Sequence, residues 1–192
     1  VAFTGIDHVG LDACREQGIE VRNCAGYSDT SVAELTLGLT IDVLRHVAEG
    51  NAAVRNGGTS AGLMGREIAG KAVGIIGTGH IGTQAARLFK AFGARVLGYA
   101  RHVHPEAVEA GVEFVDLDEL LSQSDIVSLH LPLNTETRGW FDADKISHMR
   151  SDAVLINCAR GAIVDNDALA NALNSGQLAG AGIDVFDIEP PI

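Results

Sequence analysis

The stretch AVGIIGTGHIGTQAARLF, residues 72–89, decides the fold of this chain. A short apolar run is followed directly by Gly77, Gly79 and Gly82 in G-x-G-x-x-G spacing, and then by apolar residues at helical spacing. The first glycine permits a tight turn, the second lets a pyrophosphate approach the backbone, and the third lets the helix pack closely on the strand. The stretch therefore predicts a dinucleotide-binding loop, with a phosphate-free structural turn as the alternative.

The helix after this loop is expected to supply the anion site. Its first turn has unpaired N–H groups and a positive potential, so it needs no basic side chain to bind a phosphate. We expect His80 and Ile81 to contribute through their backbone, with the His80 ring in solvent.

Short apolar runs alternate with helix-length segments from residue 70 onward. Several runs lack strict alternation of apolar and polar residues, which is typical of strands covered on both faces. Two helices are also visible, because IGTQAARLFKAFG ends at Gly93 and DNDALANALNSG begins at an Asp/Asn cap and ends at Gly176. The pattern predicts an α/β fold with a Rossmann-type doubly wound parallel sheet. The predicted strands are AVGII (72–76), ARVLGY (94–99), VEFV (112–115), DIVSLHL (125–131), AVLIN (153–157) and AGAGIDVF (179–186).

The segment before residue 70 is organised differently. Residues 1–28 have a helix-then-strand pattern, LDACREQG followed by IEVRNC, which is too short to bury a core and indicates the edge of a second domain. Ser31 followed by Glu34 has the form of a capping box, which predicts a helix from there to Gly50 or Gly57.

Two apolar stripes on this helix predict burial on two sides, either inside the core or between the core and a second subunit. The stripes are Val32, Leu35, Leu39 and Val43, and Leu37, Ile41 and Leu44.

The composition limits the possible partners and compartments. Of 192 residues, 46% are hydrophobic and 20% are charged, as in a folded globular protein. Fourteen basic and 25 acidic residues give a net charge of −11, which disfavours binding to nucleic acid.

The three cysteines form no metal or disulfide motif, so we expect no metal site and a reducing cytoplasm. No apolar run is long enough for a membrane span. With no initiator Met and no signal pattern, the chain is expected to begin within a longer protein.

The end of the second predicted strand bears on the choice of cofactor. An acidic residue roughly 20 positions beyond the glycine loop would bond the adenosine ribose hydroxyls. Here Ala100 and Arg101 occupy that place, with His102 and His104 close behind. A guanidinium in place of a carboxylate suits a ribose 2′-phosphate, so we expect preference for NADP(H), or at least tolerance of it. The alternative is that Arg101 is a solvent-facing cap and NAD is used.

Ligands of a doubly wound sheet lie beyond the carboxyl ends of its strands. Three places meet this condition: Leu131-Pro132, Cys158-Ala159-Arg160, and 184–189. Arg160 follows an apolar strand and precedes a glycine, so its guanidinium is expected in the crevice, where it could bind a substrate carboxylate and polarise the neighbouring carbonyl. A structural ion pair with Asp165 or Asp184 is the alternative.

Four motifs in order resemble the D-isomer-specific 2-hydroxyacid dehydrogenases: GTGHIGTQAARLFKAFGARVLGY, SDIVSLHLPLNTETRGWF, LINCARGAIVDNDALANAL and AGAGIDVFDIEPP. The resemblance implies hydride transfer between NAD(P)H and the C2 carbonyl of a 2-oxo acid, in a homodimer. It implies that residues 29–192 are a nucleotide-binding domain truncated at its C-terminus, and that 1–28 are a remnant of a discontinuous, flavodoxin-like substrate domain. A dinucleotide-sensing regulator similar to the C-terminal binding corepressors is the alternative.

The resemblance also assigns roles to individual residues. Arg160 and Glu189 match the catalytic arginine and glutamate, whereas the catalytic histidine would lie beyond Ile192. A carboxylate beside that imidazole would raise its pKa, although Glu189 could instead cap a turn before Pro190. His130 is interpreted as a core histidine beside the cofactor. The resemblance and the strand-end positions together predict cofactor contacts from Leu131, Pro132, Thr137, Cys158, Ala159 and Asp184, in addition to the glycine loop.

Overall fold

The computed structural model describes residues 1–189, and its centre is a sheet of six parallel strands in the order β3-β2-β1-β4-β5-β6. This is the order of a Rossmann-type doubly wound sheet, so the predicted fold class is confirmed. The strands are β1 Ala72–Ile76, β2 Arg95–Tyr99, β3 Glu113–Phe114, β4 Ile126–Leu129, β5 Val154–Asn157 and β6 Gly180–Ile183. Each lies within one of the six apolar runs. The last residues of the predicted domain, 190–192, lie outside the described part of the chain.

Helices connect the strands and cover both faces of the sheet. They are α1 Leu11–Glu16, α2 Asp29–Arg45, α3 Val47–Arg55, α4 His80–Ala91, α5 Pro105–Glu109, α6 Leu117–Gln123, α7 Ala143–His148 and α8 Asn166–Ser175, with a 3-10 turn at Gly161–Ile163. On one face, α2 and α4 bury Ala33, Leu44, Ala85 and Phe89 against the strands. On the other face, α6, α7 and α8 bury Leu120, Leu121, Ile146 and Leu169.

The predicted ends of α4 and α8 are confirmed. Gly93 (φ +81°) and Gly176 (φ +73°) adopt the left-handed conformation that stops a helix, as expected of glycine. At the start of α8 the Asp165 carboxylate accepts a hydrogen bond from the Ala168 N–H at 3.0 Å. These local signals are readable in the sequence because they involve only neighbouring residues.

The predicted capping box at Ser31 is wrong. Helix α2 begins earlier, at Asp29, and the Ser31 hydroxyl donates to the Ser28 carbonyl at 3.1 Å instead of capping the helix. The helix also ends earlier, at His46, which has a left-handed backbone (φ +53°) and separates α2 from α3. A side-chain hydrogen bond stabilises the start of α3, because the Asp42 carboxylate accepts a hydrogen bond from the Ala48 N–H at 2.8 Å.

One broad face of α2 is buried within the chain, rather than two sides. Ala33, Thr36, Thr40 and Leu44 form its buried centre line. The other residues of the two apolar stripes, apart from Leu35, flank that line and are partly buried. Both threonine hydroxyls donate to carbonyls four residues earlier, which accounts for polar residues in the core. The outer face is open, with Leu35 39% exposed.

Residues 1–28 form helix α1 as expected, but the run IEVRNC does not form a strand. Residues 1–4 and 22–24 are joined by three hydrogen bonds only: Val1 N to Arg22 O, Cys24 N to Phe3 O, and Asn23 Nδ2 to Thr4 O. Two short segments without a third neighbour do not make an independently stable sheet. The assignment of this segment to a substrate domain stays a prediction.

Candidate cofactor and substrate crevice

A crevice opens where the strand order reverses, between β1 and β4. The chain moves outward from β1 through β2 to β3 on one side, and from β4 through β5 to β6 on the other. Ile76 and Leu129 are paired at the ends of β1 and β4, so Gly77 and His130 follow directly at the mouth of the crevice. Doubly wound sheets bind their ligands at this position.

The glycines of the loop have separable functions. A Cβ at Gly77 (φ +95°) would lie 2.7 Å from the His130 carbonyl oxygen, and one at Gly82 would lie 2.0 Å from the Gly77 oxygen. At both positions a side chain would clash with neighbouring backbone atoms, so glycine is required by the fold and not by a ligand. Gly79 differs, because its φ of −71° suits any residue and a Cβ there would meet no atom within 4 Å. The space beside Gly79 is open to a ligand.

The start of α4 is free to bind an anion. Its N-cap, Gly79, makes no side-chain cap bond, and its first turn contains no acidic residue. The neighbouring Thr78 is buried, and its hydroxyl has no hydrogen-bond partner within the described residues. An uncapped helix start and an unpaired hydroxyl together fit a pyrophosphate.

His80 is 88% exposed, so its ring lies in solvent as expected. Its Nδ1 is 3.3 Å from the Asp29 carboxylate at the start of α2. A cavity of about 190 Å³ beside the loop is lined by both residues and also by Arg87 and His104. No local sequence pattern indicated that the starts of helices α2 and α4 meet at this loop.

The expected adenosine end of the crevice lies after β2. Ala100 offers no carboxylate at the strand end, and Arg101 extends into solvent. Its guanidinium is not free, because it forms an ion pair with the carboxylate of Glu136, from the loop after β4. Glu136 was not predicted from sequence, since 35 residues separate the two partners.

The loop after β4 is held by internal hydrogen bonds. The buried Thr137 hydroxyl donates to the Pro132 carbonyl at 2.6 Å and accepts from the Asn134 N–H at 2.9 Å. The Asn134 side chain in turn accepts the N–H groups of Glu136 and Thr137 at 2.9 and 3.0 Å. The Thr137 side chain therefore stabilises this loop. Direct contacts of Thr137, Leu131 and Pro132 with a cofactor stay predictions.

His130 is partly buried just after the end of β4. Burial lowers the pKa of His130 to about 4, and its Nε2 lies 3.0 Å from the Ser128 hydroxyl. The imidazole is therefore neutral at neutral pH, which does not suit it to donate a proton.

Arg160 is held by the N-terminal segment. Its Nε lies 3.2 Å from Asp7 Oδ1, its NH1 donates to the Ala159 carbonyl at 2.7 Å, and its NH2 lies against Gly5. The structural partner is thus Asp7, and the alternative pairing with Asp165 or Asp184 is wrong. Nothing near Arg160 in the sequence indicated Asp7, because 153 residues separate them. The Arg160 side chain remains 37% exposed and accessible to a ligand.

Cys158 is a buried residue rather than an activated thiol. Burial is the main cause that raises its pKa; a hydrogen bond to Thr36 opposes the rise and the Asp184 charge adds to it. A thiol that stays protonated is a poor nucleophile. Ala159 is partly buried and Asp184 is exposed, and the cofactor contacts of Cys158, Ala159 and Asp184 stay predictions.

The segment that contains Glu189 packs close to Arg160. A Cβ at Gly161 would lie 2.0 Å from the Phe186 carbonyl carbon, so the two backbones are in direct contact. Glu189 Oε1 accepts a hydrogen bond from the Phe186 N–H at 3.0 Å. This is the geometry of the turn-capping alternative, and the proximity of the Glu189 carboxylate to a catalytic histidine stays a prediction.

Two further properties of residues 1–189 concern metals and membranes. No group of three or more His, Cys, Asp or Glu side chains within this range is arranged to hold a metal ion. None of the helices in the range combines the length and apolarity that crossing a bilayer requires.

The fold and the glycine loop define a dinucleotide-binding Rossmann domain, and comparison with known proteins makes this more specific. Residues 37–192 match the family model described as D-isomer specific 2-hydroxyacid dehydrogenase, NAD binding domain. The chain belongs to this family.

Individual relatives agree with this assignment. The chain is 39% identical to hydroxypyruvate reductase of Thermotoga maritima, covering 99% of this chain and 62% of the relative. It superposes on the crystal structure of a glyoxylate reductase from Paecilomyes thermophila with a TM-score of 0.93 and 36% identity, covering 99% of this chain and 58% of that one.

A second solved structure, D-lactate dehydrogenase from Aquifex aeolicus complexed with NAD and lactic acid, gives a TM-score of 0.90 at 37% identity, covering 96% of this chain and 56% of that one. The chain spans only 36% to 62% of the length of the curated relatives that it matches.

Proposed function

We propose that this chain is the coenzyme-binding part of an oxidoreductase that transfers a hydride between a nicotinamide dinucleotide and the C2 carbonyl of a 2-oxo acid. The observation that carries the proposal is the glycine loop at the switch point of the sheet, with Arg160 two strands away at the carboxyl end of the same sheet. The dinucleotide supplies or accepts the hydride when it is bound. The chain binds and orients both reactants.

The glycine loop and the start of α4 would bind the pyrophosphate. Open space beside Gly79, an uncapped helix start and the unpaired Thr78 hydroxyl support this role. Ile81 and Gly82 contribute N–H groups from the first turn. The remaining predicted contacts, Leu131, Pro132, Thr137, Cys158, Ala159 and Asp184, would line the crevice from β4, β5 and β6.

Arg160 would bind the substrate carboxylate and polarise the carbonyl that receives the hydride. Arg160 Nε donates a hydrogen bond to the Asp7 carboxylate, which orients the guanidinium, and the side chain remains 37% exposed and open to the substrate. Glu189 is proposed to orient a histidine supplied by the rest of the enzyme and to raise its pKa. Its carboxylate would then exchange the bond to Phe186 N–H for the imidazole.

Turnover by the full-length enzyme tests this proposal. Purified enzyme is incubated with NADH or NADPH and a panel of 2-oxo acids, such as glyoxylate, hydroxypyruvate and pyruvate, and the products are separated by chiral chromatography. We expect oxidation of the coenzyme with formation of the D-hydroxy acid where C2 becomes chiral. Coenzyme binding without turnover of any 2-oxo acid would instead favour the regulatory alternative.

We further propose that NADPH is accepted as well as NADH, because Arg101 occupies the end of β2 where a carboxylate would exclude a 2′-phosphate. Replacing Arg101 by alanine is expected to weaken NADPH binding on the order of tenfold, the value of one charge-assisted bond, with little change for NADH. Isothermal calorimetry with each coenzyme measures the two dissociation constants. Unchanged NADPH affinity would show that Arg101 is only a solvent-facing cap.

A homodimer is also proposed, through the apolar groove formed where α2, α4 and the segment before β1 meet. The groove has a volume of about 260 Å³, and its apolar lining residues are Ile41, Leu44, Ile68, Ala69 and Phe92. Phe92 lines this groove and is 46% exposed, so it is accessible to a second subunit. The free cysteines fit a reducing compartment, and we propose the cytoplasm.

Replacing Phe92 by glutamate is expected to convert the dimer into a monomer, because a buried unpaired charge at an interface costs several kcal/mol. Light scattering coupled to size-exclusion chromatography measures the mass. Val108→Glu, at a 53% exposed position on α5, is the matched control and should stay dimeric. If the Phe92 variant has the mass of the unsubstituted protein, the interface lies elsewhere.

A further inference from the structure

The Arg101–Glu136 ion pair links the two sides of the coenzyme crevice. Arg101 lies just beyond the end of β2, and Glu136 lies in the loop after β4. Strands β2 and β4 are the two neighbours of β1, the strand that leads into the glycine loop. The pair therefore joins the flanking strand ends on either side of that loop.

Glu136 is presented to Arg101 from a fixed backbone. Its own N–H is bound by the Asn134 side chain at 2.9 Å, and the next residue, Thr137, is buried and bonded to Pro132. Both side chains of the pair are exposed, Arg101 at 68% and Glu136 at 63%. A ligand that competes for Arg101 must break this ion pair, and the backbone that carries Glu136 is held in place by the loop's own hydrogen bonds.

The two forms of the coenzyme differ at this point by one phosphate. A 2′-phosphate that approaches Arg101 meets a guanidinium already paired with a carboxylate, and it also meets the negative charge of that carboxylate. A ribose with a free 2′-hydroxyl leaves the pair intact and can donate a hydrogen bond to Glu136. The carboxylate that is missing at Ala100 is thus supplied from the opposite side of the crevice.

We propose that Glu136 is a specificity-determining residue, which holds Arg101 in an ion pair and thereby limits binding of coenzyme that carries a 2′-phosphate. This inference rests on the proposed function, because it requires that the dinucleotide binds at the glycine loop. It predicts that Arg101 allows NADPH to bind. It also predicts that the ion pair with Glu136 prevents NADPH from binding more tightly than NADH.

The test is Glu136→Gln in the full-length enzyme, with calorimetric titration of NADH and NADPH. The substitution keeps the size of the side chain and removes its charge, which frees Arg101 for the phosphate. NADPH affinity is expected to rise by about two- to fivefold, as for a solvent-exposed charge contact, while NADH affinity changes by less than about twofold. In an Arg101→Ala background, the same substitution is expected to lose most of its effect on NADPH.

Glu113→Gln is the matched control. Glu113 pairs with Arg95 at 2.8 Å, both side chains are about half exposed, and Arg95 is at the opposite, amino end of β2. This variant has the same change in net charge, so it should leave the ratio of the NADPH and NADH dissociation constants unchanged. If Glu136→Gln also leaves that ratio unchanged while both coenzymes bind, the inference is wrong and the proposed function stands. If neither coenzyme binds the unsubstituted folded enzyme, both are wrong.

Discussion

Replacing Gly79 by alanine is expected to weaken NADH binding by about five- to a hundredfold, the range for one extra methyl group in a packed site. The physical reason is that a Cβ at Gly79 meets no protein atom within 4 Å and would occupy the space into which we place the pyrophosphate. The free protein should tolerate the change, with a loss of less than about 1 kcal/mol in unfolding free energy from the poorer N-cap. Calorimetry and urea unfolding measure the two effects separately.

Two other glycines provide the comparison. Gly82→Ala is expected to destabilise the free protein by about 3 kcal/mol or more, because its Cβ would lie 2.0 Å from the Gly77 oxygen. Gly38→Ala, at an exposed position within α2 where the Cβ meets nothing, should leave NADH affinity unchanged and raise stability by up to about 1 kcal/mol. If Gly79→Ala binds NADH as tightly as the unsubstituted protein, the pyrophosphate does not lie against this loop.

The second large effect is expected at Arg160. In the full-length enzyme, Arg160→Lys should lower kcat/KM by about 10²–10³-fold, because lysine keeps the charge but loses the planar fork that binds a carboxylate and polarises the carbonyl. NADH affinity should be nearly unchanged, since the coenzyme contacts belong to other residues. Steady-state kinetics with the preferred 2-oxo acid and a calorimetric NADH titration test both parts.

Arg150→Lys is the matched control for this prediction. Arg150 also pairs with an aspartate, Asp152 at 3.0 Å, but it lies on the surface before β5 and not at the carboxyl end of the sheet. Its substitution should change kcat/KM by less than about twofold, as expected for a surface ion pair. Nearly full activity in Arg160→Lys would remove Arg160 from substrate binding.

The parts of the structure that could be predicted depend on signals between neighbouring residues. The strands were visible as short apolar runs, and the ends of α4 and α8 as glycines that adopt positive φ. The glycine loop was visible because its three glycines stand at fixed spacing between strand and helix. Each of these features is determined within about one turn or one strand of sequence.

The parts that could not be predicted depend on contacts between distant segments. Asp7 reaches Arg160 from 153 residues away, and Glu136 reaches Arg101 across the end of β1. The capping-box prediction at Ser31 failed for a related reason. Helix α2 is packed on α4, β5 and β6, and this packing outweighs a cap worth about 1 kcal/mol.

The central claim is that a dinucleotide binds at the glycine loop of this sheet. The most direct test is a calorimetric titration of NADH into the folded, unsubstituted full-length enzyme and into its Gly79→Ala variant. We expect saturable binding with one site per chain, weakened in the variant while both proteins unfold at similar urea concentrations. Absence of binding by both NADH and NADPH to the folded enzyme, or equal binding by the two proteins, would contradict the claim.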